Sequence, residues 1–298
     1  MSPQSALSRA FLAIALFSSV PCCIKTVALS TVPLAICRLG AASLVFSIWL
    51  AAKGELSWSS ARGWSPRQWR ALAAVGLAFG LHWLTYFESI KLATAGIGVI
   101  GFSTYGVHLM VLGWLLGRGQ PRAIDIAGLV AACCGTLLLV PDFDVRNDHT
   151  LGLLFGILSG LFGAFLPLLH QHYSDIGGDL RAWGQFTFAL PLFLFLAPGS
   201  EWPIDGRDAL LLAYIAFGVT VVGHGLWVQA TTALSTPTIS LLSYLYLPCA
   251  LVFSFFAIGE TLTPRMMGGA VLIFAANLAT LWTQARSNAL AAAHAVEE

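Results

Sequence analysis

Residues 150–173 read TLGLLFGILSGLFGAFLPLLHQHY, 24 positions without a Lys, Arg, Asp or Glu. As a helix, at about 1.5 Å per residue, a run of this length spans the ~30 Å hydrocarbon core of a bilayer. Hydrocarbon offers the backbone no water to bond, so the run must satisfy its own N–H and C=O groups, which a helix does. Barrel strands would instead alternate apolar and polar residues over about 10 positions, and no such pattern appears. Gly152, Gly156, Gly160 and Gly163 form a small-residue stripe along the run. Such a stripe lets two helices approach closely.

Runs of the same kind fill the chain on either side. Of the 298 residues, 57% are hydrophobic and 10% charged, with a mean hydropathy of +0.80. A soluble domain carries about 25% charged residues. Ten spans are predicted, at about 8–29, 32–52, 68–90, 94–116, 122–141, 150–173, 182–199, 208–231, 236–258 and 264–284. Turn signals separate them, among them Ser30-Thr31-Val32-Pro33, Gly117-Arg118-Gly119-Gln120-Pro121 and Pro141-Asp142. The first run lacks a small-residue cleavage site followed by a soluble domain, so it reads as a spanning helix and not a signal peptide. Cys22, Cys23, Cys37, Cys133, Cys134 and Cys249 all lie inside apolar runs without metal-ligand spacing. They read as small buried hydrophobes. The net charge of +1 predicts no nucleic-acid partner.

Basic residues in the loops orient the chain. With the N-terminus inside, Arg9, Lys53, Arg62, Arg67, Arg70, Arg118, Arg122, Arg181 and Arg286 fall on the cytoplasmic side, against Lys91, Arg146, Arg207 and Arg265 on the other. The expectation is a multi-pass protein of a bacterial inner membrane with both termini cytoplasmic. The Ala-rich tail over 287–298 is expected to be frayed or disordered.

The two halves of the chain resemble each other. A shift of 142 positions brings His82 onto His224, Leu84 onto Leu226, Leu92 onto Leu234, Thr94 onto Thr236, Ile97 onto Ile239 and Gly117 onto Gly259. Five spans per half is an odd number, so the second half must enter the membrane with opposite polarity. The expected fold is an all-α membrane protein of ten transmembrane helices, built as two inverted five-helix repeats over 1–146 and 147–286. Inverted repeats recur in secondary transporters, with substrate sites near the midplane between them.

Several short motifs carry a family resemblance. They are Pro33 and Arg38 in the second span, Tyr86-Phe87-Glu88-Ser89-Ile90-Lys91-Leu92 at the end of the third, and Pro248, Gly259-Glu260-Thr261-Leu262-Thr263 and Gly268-Gly269 in the second half. On these the chain resembles the drug/metabolite transporter superfamily, in its EamA-type branch. The resemblance implies a helical bundle around a central cavity. It also implies alternating-access export of a small metabolite such as an amino acid or a related amphipathic compound.

Polar groups inside a span are costly and therefore functional candidates. His82 and Tyr86 share a face of the third span, as His224 and Trp227 do on the eighth. Tyr105 and His108 sit mid-span in the fourth, with Thr104. Tyr244 and Tyr246 sit in the ninth, with Ser240 and Ser243. Aromatic rings with polar tips suit a cavity that holds an amphipathic solute. His82, Tyr86, Tyr105, His108, His224, Trp227 and Tyr244 are therefore expected to face one central aqueous space. Lys25, four residues after Pro21, either snorkels to the interface or turns into that cavity at a kink. Glu88 and Lys91 read as a structural pair. Glu88, His82 and His224 are also the candidate proton relay. Arg38 reads as structural, in need of a carbonyl or carboxylate partner. Pro167 and Pro191 interrupt helices as hinge points.

Other classes fit less well. No Walker-type phosphate loop appears, so neither a primary pump nor a nucleotide cofactor is expected. No metal site is expected either. His170 and His172 are two residues apart and point to different sides of a helix. An integral membrane enzyme acting on lipids would need carboxylates or histidines clustered at one surface. A channel-like facilitator would need a charged or carbonyl-lined constriction. The partners expected are a small-molecule substrate and the lipid bilayer.

Overall fold

Helix-start chemistry in the sequence sets the framework. Ser65 and Gln68 close a reciprocal capping box ahead of Pro66, whose missing N–H costs nothing in a first turn. A computed structural model describes residues 3–57, 62–117, 123–138, 144–234, 236–275, 278–279 and 282. The first half holds α1 (Pro3–Ser18), α2 (Val20–Thr26), α3 (Thr31–Ala52), α4 (Pro66–Leu92), α5 (Ala95–Phe102), α6 (Tyr105–Leu115) and α7 (Ala123–Leu137). The second holds α8 (Asp148–His172), α9 (Gly178–Thr187), α10 (Leu190–Leu196) and α11 (Gly206–Ala213). A π-helical segment (Tyr214–His224), α12 (Gly225–Ala233), α13 (Thr236–Ile258) and α14 (Pro264–Ala275) follow. No strand occurs among the described residues.

Six helical stretches among the described residues are long and apolar enough to cross a membrane: Gln4–Thr26, Thr31–Ala52, Pro66–Leu92, Ala95–Leu115, Asp148–His172 and Gly206–Ala233. The expected spans over 122–141 and 264–284 fall in part outside the described residues, as does the whole 287–298 tail. The expected span over 182–199 is two short helices, α9 and α10, with a break at Phe188 and Ala189. Pro191 explains the break: its ring would meet the carbonyl four residues back, so the helix stops and restarts.

The tightest packing joins α4 and α5 to α8, and the glycine stripe makes it possible. A Cβ on Gly156 would sit 3.0 Å from the Gly101 Cα and 3.0 Å from Ser89 Oγ. One on Gly160 would sit 2.9 Å from Thr104 Oγ1. Ser89 fills the seam by donating to the Gly152 carbonyl at 2.6 Å. Gly117 and Gly259, which coincide under the 142-position shift of the sequence, both close helices in the left-handed conformation, with φ of 69° and 66°. That conformation is open to glycine and costly for other residues.

Polar clasps flank the bundle at the two ends of α3. At one end Lys25 Nζ donates to the carbonyls of Ile90, Lys91 and Ala93 at 3.1, 3.2 and 2.6 Å. Lys91 Nζ reaches back to Val27 O at 2.5 Å, and the Ala28 N–H donates to Asp208 at 2.9 Å. Glu260 accepts from the Gly96 N–H at 2.8 Å, in the first turn of α5. At the other end Asp179 accepts from Lys53 at 2.7 Å and from Trp49 at 3.1 Å, while Arg9 bonds Gln229. Burial raises the Asp179 carboxyl, but the bonds from Lys53 and Trp49 outweigh it and leave the carboxyl below its ordinary pKa.

Candidate functional site: a central aromatic cavity

A cavity of about 110 Å³ lies inside the bundle. It is smaller than the engineered cavity of about 150 Å³ that admits benzene, so a ring-sized solute enters this space only as the side chains of its walls give way. Both halves of the chain build it. Phe17, Arg38, Phe79, His82, Trp83 and Tyr86 come from the first half, and Gly163, His170, Gln185, His224, Trp227 and Tyr246 from the second. The walls are largely aromatic, so an apolar solute face meets rings on most sides.

The helical spacing of His82 and Tyr86 does place both on the cavity wall, with rings stacked 5.9 Å apart. His82 Nδ1 lies 2.8 Å from Ser159 Oγ and 3.2 Å from the Ser159 carbonyl. A carbonyl only accepts, so Nδ1 carries the hydrogen and Nε2 of the neutral ring is an acceptor. Tyr86 shares a hydrogen bond with the Tyr246 hydroxyl, which joins the two halves across the cavity. Tyr105 lines the cavity, and its hydroxyl faces Ser243 without closing a bond of normal length. His224 packs among Phe17, Phe79 and Trp83 at centroid distances of 4.5, 5.0 and 5.7 Å. Trp227 lies beyond Phe17 at 6.1 Å.

Other expected residues lie elsewhere. Lys25 is outside the lining. Helix α1 gives way to α2 at Ser19, Pro21 falls in the first turn of α2, and the ammonium turns to the end of α4. Helix ends leave carbonyls without internal partners, and a cation there satisfies them. His108 also lies outside the lining and packs toward the Ile157 backbone of α8, its Nε2 buried without a partner. Glu88 is outside it too. The expected Glu88–Lys91 pair does not close, because Lys91 is engaged by Val27. The side chains of Tyr244 and Ser240 lie outside the described residues.

Arg38 departs most from its reading as a structural residue. It is 1% exposed and lines the cavity. Its guanidinium stacks on Trp83 at 4.1 Å and on Phe87 at 5.1 Å. Nε donates to Thr220 Oγ1 at 3.0 Å, while Nη1 is buried without a partner. The ion pairs among the described residues are Lys53–Asp179 and Arg67–Asp175, so none reaches Arg38. A desolvated cation–π contact offsets up to about 2 kcal/mol of the burial cost. The π-helical segment sets the partner: Thr220 donates to the Ile215 carbonyl five residues back at 2.7 Å and turns its oxygen to Arg38. Such segments recur at functional sites.

Sequence reasoning also missed Gln185 and His170 on the wall. His170 Nε2 meets Gln185 Oε1 at 3.0 Å, and Arg181 donates to the His170 carbonyl at 2.6 Å. The available signal was their position as polar residues within or beside apolar segments.

Comparison with known proteins agrees with this architecture. A protein of Salmonella typhimurium (strain LT2) named "Probable amino-acid metabolite efflux pump" is 27% identical over 198 residues. The match covers 61% of this chain and 65% of that protein, so it spans just under two thirds of the relative. One protein of known crystal structure superposes with a TM-score of 0.69 at 18% identity, over 93% of this chain and 98% of its own. At that identity the likeness speaks for the fold alone. The model of the EamA-like transporter family matches twice, over residues 4–140 and 150–282, one match in each half. With both halves matched and a shared cavity between them, the chain belongs to the EamA-like transporter family.

Proposed function

We propose that this protein is a secondary transporter that exports a small metabolite, such as an amino acid or a related amphipathic compound, by alternating access across the bacterial inner membrane. Membership of the EamA-like transporter family supports a membrane transporter over an enzyme. The observation that carries the mechanism is the cavity itself: it is buried in the bundle and lined by polar groups from both halves. The reading includes ten spans in two inverted repeats over 1–146 and 147–286, with both termini cytoplasmic. The clasps at the two ends of α3 suit alternating access, since opening either side requires one set of bonds to break and the other to hold. His82 and His224, which the 142-position shift brings together in sequence, both line the cavity, which supports a proton relay, with Glu88, outside the lining, as the alternative carrier. The test is counterflow of radiolabelled solutes, amino acids included, in proteoliposomes of the purified chain. Exchange above protein-free liposomes is expected for at least one of them. No exchange across a broad panel, from protein shown to be folded, would overturn the reading.

A further inference from the structure

From the surroundings of Arg38 we infer that the cavity selects a small carboxylate anion with a flat apolar body, and that Arg38 is the residue that holds the carboxylate. The inference rests on the transporter reading above and narrows its substrate class, from the amino acids and related compounds named there to carboxylates without an ammonium group.

A buried guanidinium carries five N–H donors, and here the Thr220 hydroxyl satisfies Nε. Nη1 is buried without a partner. Charges inside a bundle persist when something pairs with them, yet among the described residues that line the cavity there is no Asp or Glu. The missing counter-charge is therefore supplied by what enters. A planar guanidinium fork matches a carboxylate by two parallel hydrogen bonds. Stacking on Trp83 at 4.1 Å fixes the plane of the fork. Around it, Phe17, Phe79, Phe102 and Trp227 offer ring faces and edges to the rest of the solute.

The same lining disfavours a cation. An ammonium group would meet no carboxylate, and it would share a low-dielectric space with the fixed positive charge of Arg38. Rings alone give it a cation–π contact, which does not restore its lost hydration. His82, Tyr86 and Gln185 provide neutral donors and acceptors that orient a carboxylate or a further polar substituent without demanding a charge.

The experiment is calorimetric titration of the purified full-length protein in detergent at pH 7 with benzoate, with benzamide as its neutral isostere, and with benzylamine as the cation. Benzoate is expected to bind roughly tenfold to a hundredfold more tightly than benzamide, the range for charge-assisted hydrogen bonds, with benzylamine weakest. Arg38→Gln is expected to abolish the preference for benzoate over benzamide. Arg38→Lys keeps the charge, loses the fork, and retains a reduced preference. Equal binding of benzoate and benzamide by the wild type overturns the inference without any variant. So does tightest binding of benzylamine, binding of none of the three, or an unchanged preference in whichever Arg38 variant folds. Counterflow separates this failure from that of the transporter reading: exchange of other solutes would leave the transporter standing with a different selectivity.

Discussion

Replacing Lys25 by Met should weaken the fold and leave the cavity intact. The Lys25 ammonium spends its three hydrogens on the carbonyls of Ile90, Lys91 and Ala93 at the end of α4, the shortest bond being 2.6 Å. Met keeps an unbranched apolar stem of similar length and removes only the charge and the donors. A hydrogen bond to a charged group contributes about 1.5–3 kcal/mol. The three here share one ammonium and one turn of backbone, so they do not add independently. Lys25 is part-buried, so water competes for the same carbonyls. The expected loss is therefore near that of a single strong bond, about 1.5–3 kcal/mol of unfolding free energy. The assay is thermal unfolding in detergent, followed by tryptophan fluorescence, beside ligand binding or counterflow on the same preparation. The unfolding midpoint should fall while substrate affinity stays within about twofold of wild type, a ratio worth less than 0.5 kcal/mol. If the midpoint is unchanged and affinity collapses, Lys25 belongs to the cavity and the clasp is misread.

Gly156→Ala should cost about 1–3 kcal/mol, because the new Cβ meets Gly101 Cα and Ser89 Oγ at 3.0 Å. Gly113→Ala faces open space on a helix and should gain about 0.5–1 kcal/mol; the same unfolding measurement on both decides whether the seam is tight. For topology, Val145→Cys should react with an impermeant thiol reagent in intact cells, and Gly63→Cys only after the membrane is opened; the reverse pattern would invert the assigned orientation. For coupling, an imposed pH gradient should change solute accumulation in proteoliposomes, and Gln at positions 82, 224 and 88 should flatten the pH profile. If neither responds, these residues serve binding alone and the protein exchanges or facilitates.

Much of the fold was legible because the bilayer simplifies the physics. A charge-free run such as 150–173 has few alternatives to a spanning helix. The glycine stripe, Pro191 and the glycines at 117 and 259 announce a close seam, a break and helix ends by local rules, whereas Pro167, expected to interrupt its helix, lies inside the continuous α8. Those rules hold wherever the neighbours lie. Helical spacing likewise brought His82 and Tyr86, and His224 and Trp227, to one cavity. The break between α9 and α10 was visible as Pro191, but not its consequence of two short helices in place of one span.

The assignment of charged residues needed the tertiary structure. Lys25 and Arg38 look alike in sequence, each a basic residue inside an apolar run. One is consumed by three carbonyls of a helix 65 to 68 residues away. The other meets Thr220, 182 residues away, and two aromatic faces, and keeps a donor unpaired beside an empty space. Local pattern can say that a buried charge must find a partner. Only the packing of distant segments says whether the partner is the protein's own backbone or a place left for a solute, because long-range contacts leave no periodic trace in the chain.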